Sequence, residues 1–200
     1  SFPTRRSSDL GMIKTLFPWS RDYLDVYERY ALVGPGTTLA HSIHLTQQET
    51  ERIALSEAAI SFCPSSNLFI GSGLFNLEQA TSTGIAVGIG TDVGGGTSFS
   101  MLKTLAEGYK VLQLQGQSLS ALKAFYLATL GGAKALGLDN KIGTLLPGRE
   151  ADFTVLNFNA TPLIERRVSM SETLEERLFI LMMLGDERSI SSTHIMGTLS

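Results

Sequence analysis

Apolar residues recur along this chain at two spacings, and the two alternate. From Asp22 to Leu32 (DYLDVYERYAL) apolar and aromatic residues fall at helical spacing, and the stretch stops at Gly34-Pro35-Gly36. Thr37 to His41 is short and rich in β-formers, which predicts a strand. Thr46 with Glu49 three places on is a capping-box pattern, so a helix is expected from there to about Ala58. Ala59 to Cys63 (AISFC) predicts a second strand, ended by Pro64-Ser65-Ser66-Asn67. Residues 76–83 read as a helix closed by Gly84, and the apolar run Ile85 to Ile89 as a third strand. Ser98 or Ser100 caps a helix to about Leu114, and Ser118 to Leu136 reads as one long helix ended by Gly137. This alternation of helix and strand belongs to a parallel sheet with crossover helices, either doubly wound or barrel.

From about Leu138 the pattern changes. GTLLPGREADFTVLNF, residues 143–158, reads as a turn and a strand outside the alternation. Ser171 to Leu184 is an amphipathic helix with Ser171 as its cap and Glu175-Glu176 in its first turn, and a late strand is expected at Thr193 to Met196. The first ten residues, SFPTRRSSDL, are polar and aperiodic. They read as the in-frame translation of a sequencing-adapter oligonucleotide, and so as a stretch that is not native. The expected organisation is then 1–10 adapter-derived, 11–140 the α/β body and 141–200 a C-terminal segment.

Composition narrows the function classes. The chain is 43% hydrophobic and 18% charged, which is globular. A net charge of −3 leaves no footprint for nucleic acid, and no apolar run approaches a membrane span. The single cysteine, Cys63, excludes an internal disulfide framework and suits a reducing compartment, so a cytoplasmic location is expected.

The candidate chemistry lies at strand ends. In parallel α/β folds reactive residues sit at the C-terminal tips of strands. His41 follows TTLA, Ser65-Ser66-Asn67 follows AISFCP, and Asp92 follows GIGT. Asp92 and His41 are therefore the candidate catalytic pair. Ser65 and Asn67 have two readings, hydrogen bonding to a ligand or an Asx-type turn. Cys63 reads as a small core residue, His44 as a packing or loop-bonding residue, and His194 as remote. Gly94-Gly95-Gly96 matches neither a dinucleotide fingerprint nor a P-loop, and reads instead as a sharp turn beside a crowded site. An Asp and a His at the mouth of such a sheet suit hydrolysis assisted by a divalent metal. A catalytic zinc takes about three protein ligands, and this chain offers one convincing ligand, Asp92.

AHSIHL (40–45), FCPSSNLFIGSGLFNL (62–77), GIGTDVGGGTSFSML (88–102), FYLATLGGAKALGL (125–138), GTLLPGREADFTVL (143–156) and LEERLFILMMLGDERSI (174–190) together resemble the amidohydrolase superfamily. Within it they are most similar to the guanine deaminase group. The resemblance covers residues 12–198. It implies an α/β fold, here the C-terminal half of a TIM (β/α)8 barrel with part of a small β-sandwich. His41, Cys63 and Asp92 would end the sixth, seventh and eighth barrel strands, and ADFTVL would join the sandwich. The resemblance also implies Zn2+ (or Fe2+) as cofactor and guanine as small-molecule substrate, with xanthine and ammonia as products. It implies a homodimer of the full-length protein too, to which the apolar Leu178 to Leu184 would contribute.

In the family, zinc is held by an H-x-H pair, a further histidine and the Asp matched by Asp92. His41 matches a histidine that positions the attacking water. The glutamate that shuttles protons has no match, and Arg21 and Arg29 do not match the segment that recognises guanine. The chain is accordingly expected to be inactive alone. Two other readings stand beside this one: an amidohydrolase acting on another purine or a pterin, and a non-catalytic structural or binding domain beginning at Met12. A cytidine-deaminase reading fails, because H-x-E and P-C-x-x-C are both missing.

Overall fold

The computed structural model describes residues 5–200, with side chains from residue 11. Residues 1–4 of the stretch read as adapter-derived lie outside the described residues, and the backbone of 5–10 forms the first half of helix α1 (Arg5–Leu16). Helix α2 (Tyr23–Arg29) starts where Asp22 accepts a hydrogen bond from the Asp25 amide. Strand β1 (Thr38–Ala40) leads through helix α3 (Gln47–Leu55) to strand β2 (Ala59–Phe62). The capping box of Thr46 and Glu49 forms as expected.

After β2 the predicted turn is helix α4 (Pro64–Phe69), with Pro64 at its first position, where a missing N–H costs nothing. Helix α5 (Leu77–Ser82) and strand β3 (Val87–Ile89) follow, then helix α6 (Met101–Gln113), capped by Ser100. The three strands form one parallel sheet in the order β1-β2-β3.

Strand register sorts the side chains. Leu39, Ile60 and Val87 are in register, and so are Ala40, Ser61 and Gly88. The large residues of the first face, Ile60, Phe62, Val87 and Ile89, are buried in the main core. Helix α6 lies on that face through Gly108, where an added Cβ would meet Ile89 and Phe62 at 3.2 and 3.3 Å. The second face carries small residues. The segment expected as one helix from Ser118 to Leu136 breaks there into α7 (Ala121–Ala128) and α8 (Leu130–Ala135). Thr129 leaves helical geometry at φ −123°, ψ −99°, and its hydroxyl donates to the Phe125 carbonyl at 2.7 Å. The break aims Gly131 and Gly132 at β3. A Cβ on Gly88 would come within 2.9 Å of the Gly132 Cα, so backbone lies directly on backbone.

The C-terminal segment forms a second sheet. Strand β4 (Phe153–Leu156) is followed by helix α9 (Pro162–Ser169), helix α10 (Leu174–Leu184), a 3-10 turn, and strands β5 (Ile190–Ile195) and β6 (Thr198–Leu199). The sheet is antiparallel in the order β4-β5-β6. Helix α9 was not expected; Thr161-Pro162, a cap followed by an N1 proline, was its signal. Ser171 closes α9 rather than opening α10: its hydroxyl donates to the Val168 carbonyl, and Thr173 with Glu176 supplies the capping box of α10. Phe179, Met182 and Met183 of α10 pack on the main core, while Ile180 and Leu181 join Ile164 in a second cluster. Much of the apolar surface taken to favour a dimer is thus used within the chain.

The glycine contact gives a direct test. Gly88→Val should lower stability by about 1–3 kcal/mol or more, because neither backbone can yield. Gly34→Ala, with nothing within 4 Å of the added carbon, should stay within about 0.5 kcal/mol. Urea unfolding followed by circular dichroism measures both.

A charged cluster ties α2 to α3. Arg52 bonds Asp22 at 2.7 Å and Glu28 at 3.0 Å, and Arg21 bonds Asp25 at 2.6 Å. The Arg21 guanidinium and amide hold the Asp25 carboxyl down at about 2. A carboxyl lowered in the fold stabilises it above its unfolded value of about 3.9, and that contribution is lost as pH falls toward about 2. Asp25→Asn should therefore melt below the parent chain near neutral pH, and the gap should close as pH falls through that window. Thermal melts across the range would show it.

Candidate functional site

The site is built where the parallel sheet ends. The last ladder bonds run from the His41 amide to the Ser61 carbonyl at 3.0 Å and from the Gly90 amide to the Phe62 carbonyl at 2.9 Å. Beyond them the chain turns sharply in two places. His41 and Ser42 take left-handed backbone at φ 67° and 49°, and Asp92 does so at φ 48°. His and Asp tolerate that region better than most residues. These turns bring the His41 and Asp92 side chains together, with His41 Nε2 3.7 Å from Asp92 Oδ2. That is too long for a hydrogen bond. Both side chains are a little over one-third exposed.

Asn67 supports this pair from below. It sits in the first turn of α4, is 1% exposed, and its Oδ1 lies 2.8 Å from His41 Nδ1. A carbonyl oxygen only accepts, so Nδ1 carries the proton and Nε2 presents its lone pair on the Asp92 side. The other end of the amide, Nδ2, is buried without a partner. Of the two residues with open readings, Asn67 is thus an internal support of His41. Ser65 is buried beside it in α4 and makes no hydrogen bond to His41 or Asp92.

The glycine loop packs under the carboxylate. A Cβ at Gly95 would come within 2.8 Å of Ser66 Oγ and 3.0 Å of Asp92 Oδ2. One at Gly96 would collide with the Thr91 carbonyl, and the Gly96 amide donates to the Asp92 carbonyl. The loop is therefore a tight turn fitted around Asp92, as its composition suggested.

Cys63 was read as a small core residue, and it is buried. It also lies at the tip of β2, between the other two tips. One ring nitrogen of His41, Cys63 Sγ and a carboxylate oxygen of Asp92 all fall within 4.8 Å of one another. Burial pushes the thiol above its usual value, with a hydrogen bond from Ser61 working against that shift. The strand-tip rule that selected His41 and Asp92 applies equally to Cys63. His44 and His194 lie apart: His44 bonds the Ser72 carbonyl at 3.1 Å, and His194 stacks on Phe153 at 4.4 Å.

Residues 12–199 match the amidohydrolase family. The chain belongs to that family. It is 53% identical over 191 residues to guanine deaminase of Escherichia coli, covering 96% of this chain and 44% of that protein. The solved structure of E. coli guanine deaminase superposes with a TM-score of 0.95 at 51% identity, over 98% of this chain and 46% of that one. Guanine deaminase from C. acetobutylicum, solved with guanine bound in its active site, superposes with a TM-score of 0.85 at 28% identity, over 98% of this chain and 46% of that one. The chain therefore spans less than half the length of these relatives. Among the described residues no helix is long and apolar enough to cross a membrane.

The tautomer is open to measurement. Nitrogen-15 spectra should show His41 protonated at Nδ1, and Asn67→Leu should let the proton redistribute between the two nitrogens. An Nε2–H imidazole in the parent chain would mean that the amide is turned the other way.

Proposed function

We propose that this chain is part of a metal-dependent guanine deaminase, and that its parallel sheet is one portion of a TIM barrel whose mouth carries Asp92 and His41. The observation that carries the reading is the approach of these two side chains at the C-terminal edge of a parallel sheet, 3.7 Å apart. The similarity to guanine deaminases supports guanine as the substrate, with water added and ammonia released.

The donors present fit a divalent ion of the zinc type. Imidazole and carboxylate are among its usual ligands, and iron(II) takes the same kinds of donor. Asp92 would hold the ion through one carboxylate oxygen. When bound, the ion would supply Lewis acidity to a water molecule at the site.

The chain's own residues then divide the proton work. The second Asp92 oxygen can accept a proton from the attacking water. His41 Nε2, its lone pair set by Asn67, can accept a hydrogen bond from the same water and fix its direction toward the purine carbon. The leaving amino group departs as ammonia after it receives a proton, so one water is consumed and one C–N bond is replaced by C–O. The loop from Gly94 to Gly96 keeps bulk away from the carboxylate.

In the longer protein that carries this chain, Asp92→Asn should cost bound metal and turnover together. His41→Asn should keep the metal but lower kcat by about 10²–10⁴-fold with little change in KM. Asn67→Leu should follow His41→Asn in direction, with a smaller loss. Steady-state ammonia release and metal analysis separate these outcomes, and an Asp92→Asn protein with undiminished turnover would overturn the reading. The chain by itself, supplied with zinc and guanine, should release no ammonia above background.

A further inference from the structure

The corner between helices α9 and α10 borders a groove that the deaminase reading leaves without a role. The groove holds about 630 Å³ and runs between this corner and helices α6 and α7. Its lining includes Tyr109 of α6 and Phe179 of α10, whose rings meet edge-on at 5.3 Å. Met170, which ends α9, also lines it and is 72% exposed. Helices α7, α9 and α10 expose Leu122, Leu163 and Leu174 as well. One exposed apolar side chain is ordinary, but several beside a groove with an aromatic lining mark an interaction surface.

Charge indicates what covers it. Arg167 and Glu175 line the same groove, the first in the last turn of α9 and the second in the first turn of α10. Each complements the dipole of its own helix. Neither side chain makes an ion pair or hydrogen bond among the described residues. Glu176 differs, because its carboxylate accepts from the Glu172 and Thr173 amides at 2.7 and 3.1 Å and is committed to the cap. One unpaired cation and one unpaired anion therefore lie on either side of Met170 in the chain, at a single corner.

We propose that this corner is the contact between two copies of the chain, related by a two-fold axis. In an isologous interface every contact occurs twice, so one surface must carry both halves of each. This one does. Arg167 of one copy meets the partner's Glu175, and the reverse pair forms across the axis. Met170 of each copy enters the groove of the other, where a flexible thioether suits an irregular aromatic lining. A partner of single charge would satisfy only one of the two ions, and an apolar one neither. The residues expected from sequence to favour a dimer, Leu178 to Leu184, largely turn into the chain's own clusters. The contact moves instead to the exposed corner beside them. The proposal uses no residue of the strand tips and stands apart from the deaminase reading.

Sedimentation velocity of the chain over a range of concentrations tests it. The expected result is a reversible monomer–dimer equilibrium. Arg167→Glu and Glu175→Arg should each weaken the dimer by about tenfold or more, because like charges then face each other across the axis. Arg167→Glu combined with Glu175→Arg should recover most of that loss, since both pairs re-form with their signs exchanged. Met170→Gln, similar in length but polar, should weaken the dimer by about tenfold. All three residues are exposed, so circular dichroism should show an unchanged fold in every variant. A chain that stays monomeric at all concentrations would overturn the proposal. So would a dimer indifferent to these substitutions, as one joined through the outer strands β1 or β3 would be, or a double variant no tighter than the single ones.

Discussion

Two backbone hydrogen bonds set the geometry on which the site depends. Strand β2 is central, and its last carbonyls accept from the first residues beyond β1 and β3, His41 and Gly90. These bonds bind the two outer tips to the middle one before either chain turns away. The left-handed turns at His41 and Asp92 each cost about 1–2 kcal/mol in a residue with a side chain. They persist because the ladder behind them is already closed and buried. Residues held in such backbone at the end of a buried sheet are where local strain and function commonly coincide.

The sheet can hold its tips so closely because its two faces are unequal. One face carries Ile60, Phe62, Val87 and Ile89 and takes most of the apolar burial. The other carries Gly88 and Ser61, and helix α8 comes down on it through Gly131 and Gly132. Thr38 adds a side-chain bond to the Ala135 carbonyl at 2.9 Å. A larger residue at Gly88 would lift α8 and with it the packing that steadies β3, the strand that ends in the Asp92 loop. The glycines of this chain therefore act at two levels, under the helix and under the carboxylate.

The strand and helix alternation was legible because apolar spacing and caps act locally. Thr46 with Glu49, Asn76, Ser100 and Ser120 each opened a helix at or within two residues of its expected start. What escaped was decided by tertiary contact. No local pattern distinguishes one helix from two across residues 118–136; the break at Thr129 answers to the approach of α8 to β3. Short helices α4 and α9 lay in a stretch read as the end of a strand and in one assigned no element, although each begins with proline at N1. At the site, His41 and Asp92 were found from their place after a strand. Cys63 stands in the same place and was passed over because its residue type is common in cores. The partner of Asn67 could not be read, since the bond crosses 26 residues and depends on how α4 leaves the sheet.

Burial separates the groups that react from those that support them. His41 and Asp92 are open to solvent on one side, whereas Asn67, Ser66 and Cys63 behind them are nearly sealed. Asn67 illustrates what that arrangement costs. Its Nδ2 is buried without a partner, and leaving such a donor unsatisfied costs about 1–3 kcal/mol. A leucine of similar size would avoid that penalty. It could not, however, hold a proton on His41 Nδ1. The one side-chain bond of Asn67, to His41, ties the amide to the orientation of the imidazole.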